Sequence, residues 1–211
     1  MLIGKTMGKL FTVCEWIMRF AYVNLLWFLF SIAGLIIFGI FPATVALFTI
    51  VRKWIQKETD FPIWQTFLSV YLNEFKNSNR LGLILISCGT FLVFDAFFIQ
   101  TLEGAFQLVL QVPLLIISAV YLMVLLYIFP VYVHYEFKLI EYLKNAFFLS
   151  IYHFHMTLLM LISVAAILFL LLYQPGLTPF FSIVSVAWVL MFCGIYSFNR
   201  IESRQSNVNK V

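Results

Sequence analysis

The chain has 211 residues, of which 64% are hydrophobic and 10% charged. Charged residues make up about 25% of a typical soluble chain, so an ordinary water-soluble domain is excluded. Lys and Arg exceed Asp and Glu by 13 to 9, but the basic residues flank apolar runs instead of forming one patch. That placement fits topology signals and anionic lipid, and it argues against nucleic acid as a partner.

The N-terminal stretch places Lys5 and Lys9 before an apolar run, with Arg19 inside it. The run is too long for a secretory signal, and no small-residue cleavage site comes after it, so the segment is expected to stay as an anchor. From Phe20 to Val51 there is no charged side chain. One crossing needs about 20 apolar residues, so this stretch is long for one crossing and short for two. Gly39 and Pro42 supply a turn and a helix start, which suggests a hairpin. Its legs are 20–38 and 42–54, and the second must pack against neighbours, thin the bilayer or stay partly re-entrant.

Further crossings are expected at 81–102, 107–133, 156–173 and 177–198. The sidedness follows from charge. With a hairpin at 39–42, all thirteen Lys and Arg fall on one side, and the connectors around Glu103 and Gln174-Pro175-Gly176 fall on the other. A single first crossing would place either three or ten of them inside. The positive-inside bias therefore favours six segments with cytoplasmic termini. The expected fold is an all-α polytopic membrane bundle forming a single domain over 1–211.

Two polar-apolar stretches complete the inner side. In 62–79, Trp64, Phe67, Leu68, Tyr71 and Phe75 recur at helical spacing, and Pro62 suits the first turn. In 136–147, Leu139, Leu143 and Phe147 form a stripe among Glu136, Lys138, Glu141 and Lys144. Both are expected to be amphipathic helices lying in the headgroup layer. They offer a docking surface for a partner, with Trp64, Phe67, Tyr71, Phe75, Lys76, Lys144 and Asn145 as its residues, or simply anchor the chain to lipid. The tripeptide Glu-Phe-Lys occurs in both, at 74–76 and 136–138, a slight sign of an internal repeat.

Chemistry is sparse. Asp95 is the one carboxylate embedded in a membrane run. A charge there is costly, which makes it either functional or an interhelical link. His153 and His155 are two apart, so on a helix they point to different faces and do not chelate together. Cys14, Cys88 and Cys193 are isolated and read as small packing residues. No HExxH, GxSxG, SxxK or Walker-type sequence is present. A non-enzymatic role with no metal and no cofactor is therefore expected.

The segment FGIFPATVALFTIVRKWI, continued by FPIWQTFLSVYLNEFKNS, resembles the YesL family of bacterial membrane proteins. Pro42-Ala43-Thr44 with Ala46 matches its PAT-x-A core, and Trp64, Phe67 and Phe75-Lys76-Asn77 match its aromatic and basic continuation. YIFPVYVHYEF and LKNAFFLS, with Pro130, Lys144, Asn145 and Ala146, resemble its second block. The resemblance implies a multi-pass protein of the plasma membrane in a Gram-positive bacterium. It implies an accessory or regulatory role beside a carbohydrate ABC importer, with permease subunits as partners. It supplies no catalytic residue. Gly39, Pro42, Ala43, Thr44 and Asp95 are the candidate structural or functional positions. A small transporter or channel with Asp95 in its pathway is the second expectation, and an intramembrane enzyme the third.

Overall fold

The structure is a computed structural model that describes the backbone of residues 2–208 and the side chains of residues 10–200. The side chains of Lys5, Lys9, Arg204 and Lys210, part of the charge count, lie outside the described residues. Within the described residues the chain is helical throughout: α1 (Leu2–Ala33), α2 (Ile40–Ile55), α3 (Ile63–Gln100), α4 (Ala105–His134), α5 (Leu139–Tyr152), α6 (Phe154–Tyr173) and α7 (Thr178–Val208), with one 3-10 turn at Pro175–Leu177. Five of these helices contain stretches long and apolar enough to cross a membrane: Leu10–Ala33, Ile63–Gln100, Ala105–His134, Phe154–Tyr173 and Pro175–Arg200.

The sixteen-residue α2 is not among them, and it is the hub of the fold. It packs against α1, α3, α4 and α7. Every residue from Pro42 to Phe48 is buried, as are Ile50, Val51 and Trp54. Lipid tails are as apolar as Leu, so this burial stabilises through close packing more than through removal of apolar surface from water. Ala43, Ala46 and Thr44 suit such packing because they let neighbouring backbones approach.

The first turn lies at 34–39, ahead of the expected apex at 39–42, and Pro42 falls in the opening turn of α2. Leu35 and Ile36 adopt φ of 58° and 64°. Left-handed backbone costs a residue with a Cβ roughly 1–2 kcal/mol. The close approach that holds them there is made by glycines. A Cβ on Gly39 would lie 2.8 Å from the Phe30 carbonyl oxygen, and one on Gly34 would lie 2.6 Å from the Tyr71 hydroxyl.

The segments expected separately at 62–79 and 81–102 form one helix of 38 residues, about 57 Å long. No Gly or Pro stands between Ile63 and Leu81 to end it. This also corrects the picture of 62–79 as a helix lying flat in the headgroup layer, because its axis continues into the apolar run. The second amphipathic segment, placed at 136–147, forms as α5 over Leu139–Tyr152.

Two devices tie the first and last helices to the bundle. Asn24 is fully buried on α1. Its Oδ1 accepts the backbone N–H groups of Ile183 and Val184, each at 3.1 Å, and its Nδ2 donates to the Pro179 carbonyl at 2.9 Å. The side chain thus wedges into the opening of α7, where Pro179 supplies no N–H. A cluster of rings joins α1 to both α7 and α2: Trp16 meets Trp54 and Trp188 edge-on at 5.5 and 5.9 Å, and Phe20 stacks on Trp54 at 5.8 Å.

A polar cleft as candidate functional site

The end of α2, the middle of the first half of α3, the end of α4 and the start of α5 converge on a polar cleft. Helical spacing puts Thr49 and Arg52 on one face of α2, and Val70, Asn73, Glu74 and Asn77 on one face of α3. The third wall is the segment Tyr132–Glu136 together with Tyr142. These residues, Asn77 apart, line a cavity of about 480 Å³. A second cavity of about 320 Å³ is lined by Glu74, Asn77, Tyr132, Glu136, Phe137, Leu139 and Tyr142. Glu74, Tyr132, Glu136 and Tyr142 line both, so the two are lobes of one cleft.

The chain between α4 and α5 is held across the cleft mouth. The Tyr142 hydroxyl accepts the Phe137 N–H at 3.0 Å and donates to the Tyr135 carbonyl at 3.2 Å. The Glu141 carboxylate accepts the Lys138 N–H at 3.0 Å, which fixes the start of α5. Burial raises the Tyr142 pKa above the usual phenol value, and Glu74 and Glu136 push it the same way, against the opposing Phe137 hydrogen bond.

The charges inside the cleft are set apart. The Arg52 Nη1 donates to the Val133 carbonyl at 2.7 Å. Its Nε is buried with no hydrogen-bond acceptor in the protein. The ion pairs recorded among the described residues are Arg19–Glu15 and Lys53–Glu58, and Arg52 takes part in neither. Across the cleft, the Tyr132 hydroxyl donates to Glu74 Oε2 at 2.6 Å. The Tyr132 and Tyr142 rings lie 4.7 Å apart, and Phe137 lies 5.9 Å from Tyr142.

The positions singled out from sequence are scattered. Gly39, Pro42, Ala43 and Thr44 are buried in the turn and α2, with the Thr44 hydroxyl accepting from Trp27 Nε1 at 3.0 Å and donating to the Ile40 carbonyl at 2.7 Å. All four are packed in the interior. Asp95 is half-buried in the far half of α3, about 31 Å along the helix from Glu74, and the fold does not bring it to the cleft. Phe67 and Tyr71 point inward: Phe67 is 0% exposed, and Tyr71 donates to the Phe30 carbonyl at 3.1 Å. The docking surface expected to include them is corrected accordingly. Trp64, Phe75, Lys76 and Lys144 are exposed and Asn145 is half-buried. His153 and His155 line a separate cavity of about 330 Å³ with Tyr152, Met156 and Arg200. Among the described residues no three His, Cys, Asp or Glu are grouped as metal ligands.

Sequence reasoning missed Arg52, Glu74 and Tyr132 as a set. One signal pointed there: the glutamates of the two Glu-Phe-Lys tripeptides, Glu74 and Glu136, line the same cleft.

Apolar helices long enough to span a bilayer, packed around a short buried hub with a polar cleft, define a helical membrane protein. A family model described as "Protein of unknown function, DUF624" matches residues 20–96. Three relatives from Bacillus subtilis (strain 168) match most of the chain. "Uncharacterized protein YteU" is 40% identical over 88% of this chain and 83% of its own length. "Uncharacterized protein YesL" is 36% identical over 91% and 90%, and "Uncharacterized protein YesV" is 31% identical over 92% and 94%. The chain belongs to this YesL-like DUF624 family. No solved structure matches it.

Proposed function

We propose that the protein is a multi-pass, non-enzymatic accessory or regulatory protein of the bacterial plasma membrane, with both termini in the cytoplasm, working beside a carbohydrate ABC importer. The observation that carries the accessory reading is the cleft, a polar recess where α2, α3, α4 and α5 converge. On α3, α5 and the link into α5, Lys76, Lys138 and Lys144 are exposed, and Trp64, Phe75 and Phe137 also reach the surface. The family resemblance supports the importer context. Permease subunits are the expected partners, and membrane lipid surrounds the remaining surface.

The test is co-purification with importer permeases in mild detergent. A chain that comes out alone, under conditions that keep the importer assembled, removes the accessory reading. Reporter fusions at Lys5 and Lys57 test the topology, because opposite sides for these two positions end the hairpin arrangement.

A second reading, a small transporter or channel, is favoured by Asp95, which is half-buried in an apolar helix with no hydrogen bond or ion pair recorded among the described residues. Liposome flux that Asp95→Asn leaves unchanged would dismiss it.

A further inference from the structure

We infer that the cleft is a binding site for a small zwitterion, a molecule that joins an ammonium group to a phosphate or carboxylate a few bonds away. This concerns what occupies the cleft and stands whether or not an importer is the partner.

The two lobes differ in charge. Arg52 lines the larger lobe and is absent from the smaller. Its guanidinium is anchored on one side by the Val133 carbonyl, which fixes its position without neutralising its charge. The buried Nε has no acceptor in the protein. A half-buried cation with an unused donor is an unfavourable arrangement that an anionic group relieves, since guanidinium donors match carboxylate and phosphate oxygens.

The smaller lobe shares Glu74 and Glu136 with the larger one but lacks the cation. Its lining holds Glu74 and Glu136, the rings of Tyr132, Phe137 and Tyr142, and no Lys, Arg or His. Glu74 takes a hydrogen bond from Tyr132, which aims the carboxylate but leaves its charge in place. Aromatic faces beside carboxylates attract ammonium groups through both ring quadrupole and charge. Neither acid forms an ion pair with Arg52 within 4 Å.

The separation of charge selects the ligand. A simple anion would satisfy Arg52 and sit against two carboxylates. A simple amine would satisfy the carboxylates and leave the guanidinium as it was. A molecule carrying both charges answers both lobes at once. Glu74, Tyr132, Glu136 and Tyr142 border both lobes, so the two charged ends of such a molecule would lie against the same four side chains. The headgroup of phosphatidylethanolamine and free zwitterions such as ethanolamine phosphate or β-alanine share this chemistry.

The test uses full-length protein in phosphatidylglycerol nanodiscs, whose lipid has no ammonium group. Ethanolamine phosphate and β-alanine are titrated calorimetrically beside ethanolamine alone and inorganic phosphate alone. At least one zwitterion is expected to bind tenfold or more tightly than either half-ligand. Arg52→Gln and Glu74→Gln are each expected to weaken it at least tenfold, with melting curves confirming that the variants fold. Should a variant fail to fold, the comparison of the four probes on the native protein still decides. Doping the discs with phosphatidylethanolamine separates the sources: competition with the free probe assigns the site to the lipid headgroup, and its absence assigns it to soluble zwitterions. The inference is overturned if neither zwitterion outbinds its halves, or if folded Arg52→Gln and Glu74→Gln both bind as the native protein does.

Discussion

The two halves of α3 are one continuous helix with opposite fates. The half nearer its start carries the polar residues Asn73, Glu74, Lys76, Asn77, Asn79 and Arg80, yet it holds Phe67, Tyr71, Ser78 and Leu81 in the protein interior. The far half is almost wholly apolar, and beyond its first turn, where Gly82 and Leu85 are buried, only Ile99 is buried, while Phe91, Phe94, Phe97 and Phe98 are each more than 60% exposed. The less hydrophobic half is the better packed. In water this ordering would be perverse. In a bilayer it makes sense from the cover each half receives: α2 and α4 cover the first, and lipid is the natural cover for the second. Apolar content therefore marks contact with lipid, and packing is marked by where α2 lies.

The sharpest way to break this comparison is to truncate one ring in each half. Phe67→Ala should destabilise the protein by about 3–4 kcal/mol, because the site is closed on all sides and leaves a cavity. Phe94→Ala should cost less than about 0.5 kcal/mol, since lipid refills the space. Thermal unfolding in detergent, monitored by tryptophan fluorescence, measures both, and equal losses would sink the comparison. Next in size, Gly39→Ala should cost about 2–3 kcal/mol by forcing the turn away from the Phe30 carbonyl, seen in the same melt as a loss concentrated in α1–α2 packing. Asn24→Leu comes third at about 2 kcal/mol, because the N–H groups of Ile183 and Val184 lose their side-chain acceptor.

The smallest effect concerns pH. The Tyr142 pKa is raised in the folded state, chiefly by burial and then by Glu74 and Glu136. Its neutral form therefore contributes stability that is intact below the unfolded phenol value near 10 and is lost as pH rises through the folded value. The stability difference between native protein and Tyr142→Phe should shrink above about pH 10. A constant difference from pH 8 to 11 would show that Tyr142 titrates as it does in the unfolded chain.

Much of the helix order was legible because lipid-spanning runs have a length and a composition that loops lack. The break expected between 79 and 81 was misplaced for a physical reason. Asn77-Ser78-Asn79-Arg80 is polar enough to resemble a surface boundary, but none of its residues stops a helix, and the Asn79 side chain instead donates to the Phe38 and Phe75 carbonyls. The stripe Trp64, Phe67, Tyr71 and Phe75 was visible, but its period cannot say whether lipid, a partner or the chain's own α2 covers it. The cleft was less legible still. Arg52, Glu74 and Tyr132 lie on three different helices, and only the packing of those helices makes them neighbours. The doubled Glu-Phe-Lys was the single local trace.

Asn24 bears on the order in which the molecule is completed. Its partners lie 155 to 160 residues further along the chain. A ribosome making this protein releases α1 long before Pro179, Ile183 and Val184 exist, so the amide waits through the synthesis of every intervening helix. α1 is thus completed only by α7, and a chain truncated before α7 leaves the Asn24 amide without these partners.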